Sequence, residues 1–221
     1  MEGTSLLSSL IQTGQNEELA IQLNRSPELA NQNTEQGISL LQFAAYCRNH
    51  KAIEILKKYK SQLNLFEASS LGDLDSIKSI LRSDRTLINS YSPDGFTALG
   101  LACFFGHYEV AVFLLSNDAD ANIASANSFK VSPLHSACAI SNLEIAKLII
   151  QNGADVNARQ QQGVTPLLSA ALNGQIELLK LLIQNGADTT AQMDNGKTPE
   201  DMALEKGYSD IATIIHKLTM K

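Results

Sequence analysis

Residues 131–158 read VSPLHSACAISNLEIAKLIIQNGADVNA, and residues 164–191 read VTPLLSAALNGQIELLKLLIQNGADTTA. The two stretches align without a gap. A third, FTALGLACFFGHYEVAVFLLSNDADANI, occupies 96–123. Ser132 and Thr165 are 33 residues apart, Thr165 and Thr198 are 33 apart again, and Thr97 precedes Ser132 by 35. A fixed period of this size marks a chain built from stacked supersecondary units.

Each unit follows one physical plan. A Ser or Thr is placed to cap a helix, and Pro133, Pro166 or Pro199 follows at the first helical position, where its missing N–H costs nothing. A short Ala-rich helix comes next. Gly106, Gly174 and Gly207 then supply the left-handed residue at which a helix ends. The second helix is apolar along one face, at Ile145, Ala146, Ile149 and Ile150 in one unit and at Leu178, Leu179, Leu182 and Ile183 in the next. Glu109, Glu144 and Glu177 fall in its first turn, where the helix dipole favours an anion. Gly-Ala-Asp breaks it, and turns such as Asp94-Gly95, Gln162-Gly163 and Asn195-Gly196 lead to the next cap.

Ser132-Pro133-Leu134-His135-Ser136-Ala137 nearly completes the T-P-L-H-x-A signature. On that motif and its period the chain resembles the ankyrin-repeat family over essentially its whole length. The resemblance implies an all-α solenoid of about seven helix-turn-helix units with short β-hairpin fingers. The units fall at about 5–32 (N-terminal cap), 33–64, 65–90 (lacking a finger), 91–125, 126–158, 159–191 and 192–218 (C-terminal cap). They form a single expected domain, 1–221, whose stability is a sum of intrinsic and nearest-neighbour contributions. In EQGISLLQFAAYCRNHKAIEILKK (35–58) the fit takes one extra residue before Asn49-His50. At the start, Gly14 falls where Gly72 does, and Leu19 and Leu23 where Ile77 and Leu81 do.

Composition excludes several classes. The 221 residues are 44% hydrophobic and 18% charged, enough to bury a core. A net charge of −6 argues against a general nucleic-acid binder. No stretch approaches a membrane span, and MEGTSLLSSLIQTG lacks the basic start of a signal peptide. The expected localisation is cytoplasmic. Cys47, Cys103 and Cys138 are widely spaced and read as reduced thiols, the last two stacked in neighbouring units.

Catalytic motifs are missing. The chain has no Gly-rich phosphate loop, nucleophile elbow or zinc-protease helix, and no His/Cys spacing suited to a metal. Asp118 and Asp120 lack the spacing of a Ca²⁺ loop. His135 is the signature histidine, a structural residue in the family, and His50 and His107 take the position after the inter-helix Asn or Gly. The reading is a non-enzyme without cofactor.

In the family, the residues that end each first helix line the concave side and vary with the partner. Here they are Tyr46 and Cys47, Phe104 and Phe105, Ala139 and Ile140, Leu172 and Asn173, and Glu205 and Lys206. In the 127–130 finger, Lys130 stands where Gly would permit positive φ, and Phe129 is expected at its tip. Tyr91 and Phe96 flank the neighbouring finger. The expected partner-binding patch is Phe96, Phe104, Phe105, Phe129, Ile140 and Leu172, with Tyr91, Asp94, Gln161, Gln162 and Asn173 around it. Aromatic anchors ringed by polar groups suit a protein partner. The bland alternative folds one phenylalanine inward against the next unit. The function expected is protein–protein interaction. Its alternatives are a regulatory or targeting subunit of an enzyme, or a self-associating scaffold. A monomer is expected, with a homodimer through the apolar patch as the competing state. Arg48, Lys51, Lys57, Lys58 and Lys60 form a basic cluster, read either as a solvated helix face or as a patch for an acidic partner segment.

Overall fold

The computed structural model describes residues 2–219, with side chains from residue 6 onward. The chain groups into two compact units, Met1–Ala98 and Leu99–Lys221.

The first unit holds α1 (Glu2–Thr13), α2 (Asn16–Arg25), α3 (Leu40–Tyr46), α4 (His50–Lys57), α5 (Leu65–Leu71) and α6 (Leu74–Ser83). Single 3₁₀ turns, Pro27–Asn31 and Arg85–Asn89, follow α2 and α6. The first helix of each pair packs on the next, α1 on α3 and α3 on α5, while α2 packs on α4. Leu7, Ile11, Leu19, Leu23, Leu40, Leu41 and Leu56 are fully buried between these layers. Side-chain caps set the helix starts. Ser39 accepts from the Gln42 N–H, Asn49 from Ala52 and Asp73 from Ser76.

The second unit carries α7 (Ala98–Phe105), which begins at the boundary residue, then α8 (Tyr108–Leu115), α9 (Pro133–Ala139), α10 (Leu143–Gln151), α11 (Pro166–Leu172), α12 (Ile176–Gln184), α13 (Pro199–Glu205) and α14 (Ser209–Thr219). Again α9, α11 and α13 pack in series, as do α8, α10 and α12. Ser132, Thr165 and Thr198 cap α9, α11 and α13, each with Pro in the first turn. Asparagines join successive repeats. Asn157 donates to the Gly186 carbonyl at 3.0 Å and accepts from the Asp188 N–H at 2.8 Å, and Asn122 does the same with Gly153 and Asp155.

Two expectations are corrected. The second repeat needs no extra residue. Arg48, at φ 52, takes the left-handed place that Gly106 takes at φ 81, and Asn49 is the cap of α4. His50 therefore opens α4, whereas His107 stands at the N-cap position of α8, so the two histidines are not equivalent. Ser141, at φ 59, fills the same left-handed place in its repeat. The fingers are turns rather than hairpins of strands. Among the described residues, pairing amounts to isolated antiparallel bridges, Asn33–Ser39 and Tyr91–Thr97. In the second unit each finger is closed at its base by a backbone bond, Ser125 N to Val131 O at 2.9 Å, Gln160 N to Val164 O at 3.0 Å and Met193 N to Lys197 O at 2.9 Å, with one further bond inside the turn. Arms this short end before a ladder can start.

The connection before α5 carries no finger. Lys60, its side chain 9% exposed, reaches Glu67, which is fully buried at the start of α5. Glu67 also accepts from the Asn64 N–H at 3.0 Å, completing a capping box. The fingers on either side close over the vacancy, and a Cβ built on Gly37 would lie 3.4 Å from the Pro93 Cβ.

Candidate protein-binding surface

The eleven candidate residues divide between the units. Tyr91, Asp94 and Phe96 belong to the first, and the other eight to the second. In the first unit the 91–97 turn is held by its own backbone and by Ser92. Ser92 N donates to the Phe96 carbonyl at 2.8 Å, and Phe96 N donates to Ser92 Oγ at 2.9 Å. Tyr91 is 47% exposed and Phe96 half-buried.

Asp94 faces inward. Its carboxylate accepts from Tyr46 Oη at 2.7 Å, from Gln42 Nε2 at 3.3 Å and from Ser92 Oγ. Tyr46 and Gln42 stand on α3, so this cluster spans the fingerless repeat. Burial, then the Asp94 hydrogen bond and charge, push the Tyr46 phenol far above its ordinary range. Tyr46 thus fastens the 91–97 turn, and Asp94 supports the surface from behind. This link was not visible in the sequence because its partners are 48 residues apart and belong to different repeats.

In the second unit the paired phenylalanines end α7. Their rings meet edge to face, with centroids 5.1 Å apart and planes at 87°. Phe104 is exposed, while Phe105 is half-buried and stacks on the His107 ring at 6.4 Å. An edge-to-face pair is an energetically favoured aromatic contact. Ile140 comes up beside them, for its Cδ1 would touch a Cβ on Gly106 at 3.5 Å. Lys130 adopts φ 52, and Phe129 before it is 57% exposed. Neighbouring fingers are stitched by backbone bonds. Gln161 N donates to the Phe129 carbonyl at 2.8 Å, and Asp194 N to the Gln162 carbonyl at 3.0 Å. The side chains of Gln161, Gln162 and Asn173 face water, and Leu172 is half-buried.

His135, Cys103 and Cys138 are packed away, and Cys47 is half-buried. His135 accepts from Ser132 Oγ at Nδ1, 2.8 Å, and its Nε2 donates to the Val164 carbonyl of the next repeat, 3.1 Å. Burial lowers its pKa to about 4. Burial pushes the Cys138 thiol up to about 12 and the Cys103 thiol above its ordinary range, the opposite of an activated nucleophile. Among the described residues no group of three His, Cys, Asp or Glu is gathered for a metal. No described helix is long and apolar enough to cross a membrane.

The sequence model of the ankyrin-repeat family, in three copies, matches residues 65–160 and 142–219. This chain belongs to the ankyrin-repeat family. Its ankyrin repeats are 29% identical over 159 residues to a yeast protein, the probable 26S proteasome regulatory subunit p28 of Saccharomyces cerevisiae, covering 65% of this chain and 68% of that one. They are also 29% identical over 163 residues to the ankyrin repeat and KH domain-containing protein mask of Drosophila melanogaster. That match covers 72% of this chain and 4% of mask, so the chain spans a small part of that relative. Ankyrin repeats imply protein–protein interaction as the general mode of action.

Proposed function

We propose that this chain is a non-catalytic interaction module that captures a partner protein on the aromatic surface of its second unit. Phe104, Phe105 and Phe129 are the anchors, Ile140 and Leu172 widen the apolar area, and Gln161, Gln162 and Asn173 form an uncharged rim. Tyr91 and Phe96, in the first unit, are further contact residues, with Asp94 bracing their turn. The observation that carries this reading is the exposure of Phe104 and Phe129 on backbone that is rigidly held. Large rings on a preformed support lose little conformational entropy on binding. The repeat spacing supports one domain over 1–221, since Asn64 to Thr97 is 33 residues and Thr97 to Ser132, at 35, carries the repeat across the boundary after Ala98.

The test is affinity capture with wild type and the Phe104→Ser, Phe105→Ser double variant, each with a thermal melt. The expected result is loss of a captured protein with melts that nearly coincide. Anchor residues of this kind contribute about 2 kcal/mol or more, about thirtyfold in affinity. A steep fall in melting temperature with capture unchanged would make the rings internal packing and end this reading.

The likeness to the yeast protein favours a second reading, a regulatory subunit on a larger enzyme. Its mark is capture of an intact multisubunit assembly rather than of a single chain.

A further inference from the structure

The basic cluster does not stay together in the fold. Lys60 is buried against Glu67, Arg48 occupies the turn between α3 and α4, and Lys51 lies in the first turn of α4 beside Glu17 and Glu18. A different set of cations shares one structural position instead. The second helices of three consecutive repeats, α2, α4 and α6, all end in basic residues: Arg25, Lys57 with Lys58, and Arg82. All four are exposed, and among the described residues none has an ion-pair partner. Elsewhere the chain pairs its cations readily, as Lys147 does with Glu144, Lys180 with Glu177 and Arg159 with Asp194.

The helix dipole alone does not explain this edge. A cation near a helix C-terminus is favourable, yet α8, α10 and α12, the same element in later repeats, carry none in the last turn. Nor do the acids nearest in sequence form ion pairs with it. Asp84 is turned to the Thr86 N–H, which donates to its carboxylate at 2.9 Å, and Glu28 belongs to the 3₁₀ turn after α2. A chain with net charge −6 has acids to spare, yet among the described residues none of them, Glu28, Glu54 and Asp84 included, is paired with these four cations.

We propose that the C-terminal ends of α2, α4 and α6 form a docking edge for an acidic, extended segment of a partner protein. The α2 helix packs on α4, packed helices lie about 8–10 Å apart, and an extended chain advances about 3.3 Å per residue. Carboxylates at every third residue would therefore meet one helix end after another. This surface is separate from the aromatic one and stands or falls without it. A nucleic acid suits it less well, because the rest of the chain is acidic and repels a polyanion that runs beyond the edge.

The probe is a fluorescein-labelled peptide with glutamate at every third position and Ser-Gly between, read by anisotropy against the full chain. Binding is expected at about 50 mM salt and several-fold weaker at about 200 mM. The variant Arg25→Gln, Lys57→Gln, Lys58→Gln, Arg82→Gln should weaken it about tenfold. A matched variant of equal charge loss in the second unit, Lys147→Gln, Lys180→Gln, Lys206→Gln, Lys217→Gln, should leave it unchanged. Any of four results overturns the proposal. These are no binding at low salt, equal weakening by both variants, tighter binding of an oligo-dT of equal charge or of phosphatidylserine vesicles, or a lowered melting temperature of the first variant with affinity unmoved.

Discussion

His135 offers a direct test of how successive repeats are joined. Its ring is 3% exposed and bridges Ser132 in its own repeat to the Val164 carbonyl in the next. Protonation would put a hydrogen on Nδ1, the atom that now accepts, in a site with little water. The ordinary pKa of 6.5 falls to about 4 in the folded chain, through burial. The unfolded chain therefore takes up the proton first as pH drops. Stability from this group is complete above pH 6.5 and is lost as pH falls toward 4. Each unit between the folded and unfolded values corresponds to about 1.36 kcal/mol. The loss is then about 2 kcal/mol by pH 5, approaching about 3 kcal/mol at pH 4. Urea unfolding of wild type and His135→Gln at pH 8, 6.5 and 5 isolates it, because other titrations cancel in the difference. At pH 8 the variant should lose about 1–3 kcal/mol, the cost of two buried hydrogen bonds imperfectly replaced. By pH 5 the gap should close. A difference that stays constant with pH, or an NMR titration of this ring centred near 6.5, would refute the argument.

Two further expectations concern stability. Lys60→Met leaves the Glu67 carboxylate buried without its cation and should cost about 3–5 kcal/mol in chemical denaturation. Adding Glu67→Gln keeps an acceptor for the Asn64 N–H and should recover most of that loss. Gly174 and Gly207 both have positive φ, but a Cβ on Gly174 would lie 2.8 Å from the Tyr208 ring, whereas one on Gly207 meets nothing within 4 Å. Gly207→Ala should cost about 1 kcal/mol from backbone strain alone. Gly174→Ala should cost about 1–3 kcal/mol more from overpacking, and Tyr208→Ala should relieve only that added part.

Much of this architecture could be read from local signals. Ser132, Thr165 and Thr198, each followed by Pro, announce helix starts because cap and first turn are chemistry between neighbours in sequence. Lys130 showed its left-handed conformation by standing where a glycine belongs. The same reasoning misplaced the second repeat, because Asn49 tolerates positive φ more readily than Arg48, and here the cap requirement took the asparagine. What the sequence concealed lay at the irregular repeat. The ties from Tyr46 to Asp94 and from Lys60 to Glu67 depend on which finger is missing, and no periodic pattern encodes that. Exposure was hidden too. Phe104 and Phe105 are adjacent and chemically identical, and only packing separates the open ring from the half-covered one.

The vacancy before α5 alters how an elongated molecule is read along the first unit. The 33–39 finger leads into α3 and the 91–97 finger into α7, with α5 between them and no finger of its own. Because Gly37 and Pro93 are in contact range, the two turns are neighbours, although the chain between them runs through two helix pairs, α3 with α4 and α5 with α6. A ligand strand following the turns and a ligand strand following the helices would measure different distances over the same stretch of chain. Any rule that assigns one ligand residue to each repeat slips out of phase at α5, and the mutations that restore or shift that phase are those at Gly37, Pro93 and the Tyr46–Asp94 tie.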